Sequence, residues 1–145
     1  MSSNNTEINE WAGLYSIRKD NNSHSGATVA FIDSLTSYSI GYSNEMASIS
    51  KTKIDSVVFS YWAFLKNDKA QAKSVLSILD KTKGENIFWA GNPLKEKVKE
   101  YNKWIEIKET FIIPADIDTK CILSLYVMNN SKEEILLDDF KVVFY

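Results

Sequence analysis

The run 132–145, KEEILLDDFKVVFY, constrains the fold more than any other stretch. Its apolar residues fall at Ile135 and Leu137, then at Phe140, Val142 and Phe144. The inward parity therefore switches from odd to even across Asp138 and Asp139. A strand alternates faces with period two, so a switch in mid-run requires one extra residue, a β-bulge, at or near the pair. Two adjacent carboxylates at a bulge are costly unless a cation or a set of N–H donors meets them. The pair is thus a clue to both fold and chemistry.

The same period recurs along the chain. ATVAFID sets Val29 and Phe31 against Thr28, Ala30 and Ile32. SLTSYSIGYS puts Tyr38, Ile40 and Tyr42 on one face, and MASIS reads as a further short strand. SVVFSYWAFLK is apolar on both faces, which marks a central strand. ILSLYVM alternates Leu123, Leu125 and Val127 against Ile122, Ser124, Tyr126 and Met128. In WIEIKETFII, Glu109 breaks an otherwise apolar inward set of Ile105, Ile107, Phe111 and Ile113. Dense turn signals, KDNNSHSG and DKTKGEN among them, separate the runs. NPLKEKVKEYN reads as a loop with at most one helical turn. A short strand is also expected within 11–17, residues 1–7 are expected to fray, and Ile8 is the first apolar anchor. Nine or ten short strands without a long helix predict an all-β, two-sheet antiparallel sandwich or barrel, one domain over 1–145.

Composition narrows the function. A net charge of −2 leaves no electrostatic footprint for nucleic acid. A single cysteine, Cys121, excludes an internal disulfide and a multi-cysteine zinc site. The one histidine, His24, excludes poly-histidine metal centres. No apolar run approaches the ~18 residues of a membrane span. The start, MSSNNTEINEW, shows no basic segment followed by an apolar core, so no signal peptide is read in it.

Taken in order, HSGATVAF, YSIGYS, VVFSYW, IFWAG, WIEIKETFIIP, LSLYVMNN and the closing I-x-L-D-D-F-x-V resemble the galactose-binding-like jelly rolls that include many carbohydrate-binding modules. The resemblance spans about 23–145. It implies a jelly roll with a glycan site on a concave sheet face or in end loops. It also implies an extracellular or cell-surface setting beside a catalytic domain, and in many members a structural calcium where the Asp strand meets the first strands. The strand ending in Asn departs from the family pattern, which places Trp where Met128 stands.

For calcium the candidate ligands are Asp138, Asp139 and Glu10 or Glu7, with carbonyls of the 21–26 turn, since calcium takes six to eight oxygens. The competing reading has one aspartate capping turn N–H groups and the other in solvent. For a glycan, stacking requires rings flanked by amides and carboxylates. The candidates are Trp62, Trp89 and Tyr126, with Asn129, Glu106, Ser60 and Ser124 beside them. Alternation would let Trp62 and Tyr126 line one groove, unless Trp62 is core. Trp104 reads as a packing lid. For catalysis, His24 with Ser23 or Ser25 and Asp20 lies in one turn, where triad geometry is rare. Glu45, Glu85, Glu106 and Glu109 are scattered, and Asp138 and Asp139 are adjacent, so no acid pair for glycoside cleavage stands out. The expectation is a non-catalytic glycan-binding module. The alternatives are a structural or protein-interaction sandwich and, more weakly, a small jelly-roll hydrolase or lyase.

Overall fold

The structure, a computed structural model, describes residues 2–4, 11 and 16–145. Glu7, Ile8 and Glu10, and positions 12–15 of the expected 11–17 strand, lie outside the described residues. The chain forms strands β1 (Ser2–Asn4), β2 (Ile17–Lys19), β3 (Thr28–Ile32), β4 (Tyr42–Glu45) and β5 (Ser56–Leu65). These are followed by β6 (Ala72–Asp80), β7 (Glu85–Pro93), β8 (Trp104–Ile112), β9 (Ile122–Asn129) and β10 (Ile135–Phe144). The larger sheet has the order β2-β3-β10-β5-β8, with β1 also on β10. The smaller has the order β4-β9-β6-β7. All pairs are antiparallel. From β5 onward the chain changes sheet at every connection but the β6–β7 hairpin, giving a jelly-roll sandwich.

The parity switch in β10 is a bulge. Asp138 pairs with Trp62 and Lys141 with Ser60, so Asp139 and Phe140 together oppose Tyr61. Asp139 takes a left-handed conformation, φ 52°, which Asp tolerates better than most residues. Ile135 and Leu137 before the bulge, and Phe140 and Val142 after it, all enter the core. The bulge also divides the edge of β10. Leu137 and the residues before it pair with β3; Phe140 to Val142 pair with β1. Ser2–Asn4, within the 1–7 stretch expected to fray, thus pair with β10. β5 is central as expected, held between β10 and β8.

Two local expectations fail. MASIS is not a strand: Met46–Ile49 forms one helical turn, closed by the Ser50 N–H donating to the Met46 carbonyl at 3.3 Å. Tyr38, Ile40 and Tyr42 do not share one strand face either. Tyr38 bridges Met128 alone and is exposed, while Ile40 is buried. Between them Gly41 crosses so near β9 that a Cβ would lie 2.9 Å from the Leu125 carbonyl oxygen.

Glu109 is the polar exception in the inward set of β8. It is 3% exposed. Its Oε2 accepts from Asn92 Nδ2 at 3.0 Å and lies 3.8 Å from Lys97 Nζ, but its Oε1 is buried without a partner. Burial raises its pKa; the Asn92 hydrogen bond and Lys97 offset this in part, and Glu96 adds to it. A carboxyl whose folded pKa is raised stabilises the fold below its unfolded pKa and loses that contribution as pH rises through the folded value. Glu109→Gln should therefore raise the melting temperature at pH 7 by about 2–4 °C, the equivalent of ~1 kcal/mol. At pH 4 the variant and the parent should melt together, which thermal unfolding at the two pH values checks.

Candidate functional site

Asp138 and Asp139 form a clasp on the β2–β3 turn. Asp138 is fully buried. Its Oδ2 accepts from the backbone N–H of His24 and of Ser25, each at 3.1 Å, and its Oδ1 from the Asp139 N–H at 2.8 Å. Asp139 faces the same turn: Ser25 Oγ donates to Oδ1 at 2.5 Å, and His24 Nδ1 lies 2.5 Å from Oδ2. N–H groups thus meet Asp138, and a second set of donors meets Asp139, where the competing reading put one aspartate in solvent. Among the described residues no three His, Cys, Asp or Glu side chains gather as a metal-binding group. Nor does the turn hold a triad. Asp20 accepts from Arg18 and the Asn22 N–H, and Ser23 Oγ donates to the Gly26 carbonyl.

The clasp draws His24 onto the outer face of the larger sheet. There its imidazole stacks on Trp62, centroids 4.1 Å apart and planes 16° from parallel. Trp104 meets His24 edge-on and packs against Phe64, and its Nε1 is buried without a partner. Trp62 is thus neither core nor an open platform, since its face carries an imidazole. Glu106, exposed, pairs opposite Trp62 in the β5–β8 ladder. Tyr126 belongs to the smaller sheet, on the far side of the sandwich. Trp62 and Tyr126 therefore do not line one groove, and Glu106 stays with Trp62.

The outer face of the smaller sheet is different. Register sets Ser43, Ser124, Ser77 and Trp89 in one row. Tyr126, Val75 and Gly91 form the next, and Met128, Lys73 and Pro93 the one after. Trp89 is 45% exposed and Tyr38 49%. Tyr38 meets Tyr126 edge-on at 5.7 Å. The Trp89 indole lies over Gly91, where a Cβ would come within 2.5 Å of its Cη2, so the glycine is what lets the ring lie along the strand. Lys73 Nζ sits 5.8 Å from the same ring centroid. Small hydroxyls surround the rings, with Ser43 and Ser124 Oγ atoms 3.0 Å apart. Such a surface presents apolar rings to a sugar's C–H face and hydroxyls to its rim.

Asn129 is not on this surface. It is 5% exposed, its Nδ2 donates to the Glu133 carbonyl at 2.8 Å and its Oδ1 accepts from Ser131, so it shapes the β9–β10 turn. Among the sequence candidates, Trp89 and Tyr126 share one exposed face. Tyr38, Lys73 and Gly91 join them, and none of these three was singled out from sequence. The Trp-x-Gly spacing of Trp89 and Gly91 was the available signal. The four scattered glutamates lie apart. Glu45 pairs with Lys81 at the rim of the smaller sheet, Glu85 opens β7, Glu106 is on the larger sheet and Glu109 is between the sheets.

No family model matches the chain, and no curated protein matches it. Solved structures do. The CBM22-2 xylan-binding domain of Paenibacillus barcinonensis Xyn10C matches with a TM-score of 0.62 at 15% identity, over 99% of each chain. The C-terminal family 22 carbohydrate-binding module of Clostridium thermocellum Xyn10B matches with a TM-score of 0.62 at 14% identity, over 99% of this chain and 91% of that one. A third match, with a TM-score of 0.59 at 15% identity, is to the CBM22-1 and GH10 modules of the Clostridium thermocellum xylanase, crystallised with xylohexaose. There the match covers 89% of this chain but only 24% of that one. The fold of this chain is therefore that of the jelly-roll carbohydrate-binding modules.

Proposed function

We propose that this chain is a non-catalytic glycan-binding module whose platform is the outer face of the smaller sheet. The observation that carries the reading is the exposed Trp89 ring laid over Gly91, on the same sheet face as Tyr126 and Tyr38. The structural neighbours support it, since those named above are xylan-binding or carbohydrate-binding modules. By the same analogy the module would work outside the cell or at its surface, next to a catalytic domain, as the xylanase neighbour carries its GH10 module. No helix is long and apolar enough to cross a membrane among the described residues. Affinity electrophoresis against xylan and a panel of other soluble polysaccharides tests the reading. Retardation of the parent on at least one of them is expected, with loss in Trp89→Ala. Retardation by none would remove it.

A structural calcium on Asp138, Asp139 and Glu10 is a separate proposal. The donor types fit, because two carboxylates stand beside a turn rich in carbonyls. Asp138 already collects three N–H donors, and both Asp139 oxygens face Ser25 Oγ and His24 Nδ1, so an ion would have to displace those two side chains from Asp139. Excess chelator should then lower the melting temperature. An unchanged melting curve, with no metal by elemental analysis, would sink the proposal.

A further inference from the structure

We infer that the glycan on the smaller sheet carries an anionic group, a uronate carboxylate or a sulfate ester, seated between Lys73 and Lys95; this rests on the platform reading above. Where β6 begins and β7 ends, the outer face opens into a cavity of about 200 Å³ lined by Gln71, Lys73, Pro93, Lys95 and Asn130 among others. Its lining holds two lysines and no carboxylate. Neither Lys73 nor Lys95 makes an ion pair among the described residues. The acidic side chain in the rows of this face, Glu45, lies beyond Trp89 from the cavity and is paired with Lys81 at 2.9 Å. This end of the face thus presents two lysines with no acid among the cavity's lining.

The cavity is continuous with the platform through Lys73, whose ammonium reaches over the Trp89 ring. A pyranose stacked on Trp89 would therefore place one edge toward Lys73. An ammonium is a compact point charge that suits a carboxylate or sulfate without demanding the planar geometry of a guanidinium. The amides of Gln71 and Asn130 add donors and acceptors for neighbouring hydroxyls. A neutral sugar would leave both lysines without a counter-charge at the site.

Matched probes test this. One pair is polygalacturonate and its fully methyl-esterified form; the other is a sulfated galactan and its desulfated form. Neutral xylan is the fifth probe. The charged member of one pair should bind about tenfold or more tighter than its neutral partner at low salt. The gap should close in about 1 M NaCl. It should also close in Lys73→Met and in Lys95→Met, and persist in Lys73→Arg. Which pair shows the gap distinguishes carboxylate from sulfate. Equal binding of charged and neutral partners, or binding of neutral xylan alone, still lost in Trp89→Ala, would overturn the anionic inference and leave the platform reading standing. Failure of every probe to bind would overturn both.

Discussion

Trp89→Ala is expected to weaken glycan binding by roughly 30- to 100-fold, about 2–3 kcal/mol, while leaving the circular dichroism and melting temperature close to the parent's. The ring is 45% exposed, so its removal opens no cavity in the core, which is built from other residues. The sugar, by contrast, loses its largest apolar contact. Gly91→Ala gives an independent check. Its Cβ would fall 2.5 Å from the indole Cη2, and a terminal ring can swing aside more cheaply than backbone can move. The indole should leave the sheet surface and affinity should fall several-fold, with a full Trp side chain still in the protein. Isothermal titration calorimetry on both variants reads the effect. A Gly91→Ala protein that binds like the parent would show that the orientation of the ring is immaterial and would count against the platform.

Asp138→Ala is expected to cost about 3 kcal/mol or more and to lower the melting temperature by roughly 10 °C. Three N–H groups, of His24, Ser25 and Asp139, lose their acceptor together. Each donor left without a partner in a partly buried place costs of order 1 kcal/mol or more. Against a typical total of about 5–15 kcal/mol this is a large share. Asp139→Ala should cost less, because its partners are the side chains of Ser25 and His24, and both residues are partly open to solvent. It should, however, loosen His24 from Trp62. Urea unfolding of the two variants ranks the aspartates. A smaller loss for Asp138→Ala than for Asp139→Ala would refute the assignment of the clasp's strength to the backbone N–H groups.

The parity of β10 alone located the bulge, because burial of Ile135, Leu137, Phe140 and Val142 leaves no other way to pass from one register to the next. The same period-two logic could not tell which sheet a strand would join. It left Trp62 open between core and groove and set Tyr126 opposite the apolar face of its strand; both face outward, but the strand order puts them on opposite sides of the sandwich. Asn129 looked available for hydroxyls, since nothing local in LSLYVMNN signals that Glu133 and Ser131 would claim its amide. His24 over Trp62 was illegible for a like reason: it depends on contacts to β10 made 113 to 115 residues away. Nothing in the sequence around Lys73 marks it; only the register places it beside Pro93, with its ammonium over Trp89.

The divided edge of β10 bears on the order in which the molecule assembles. One flank of this strand is completed by β3 and β1, both from the opposite end of the sequence, and only its other flank, β5, comes from the middle of the chain. Closing loops of that length is entropically slow, and sheets built from such distant partners fold on the millisecond-to-second scale rather than faster. The Asp138 hydrogen bonds to the β2–β3 turn span that closure and can form only once it is made. Their loss should accelerate unfolding while leaving the refolding rate nearly unchanged.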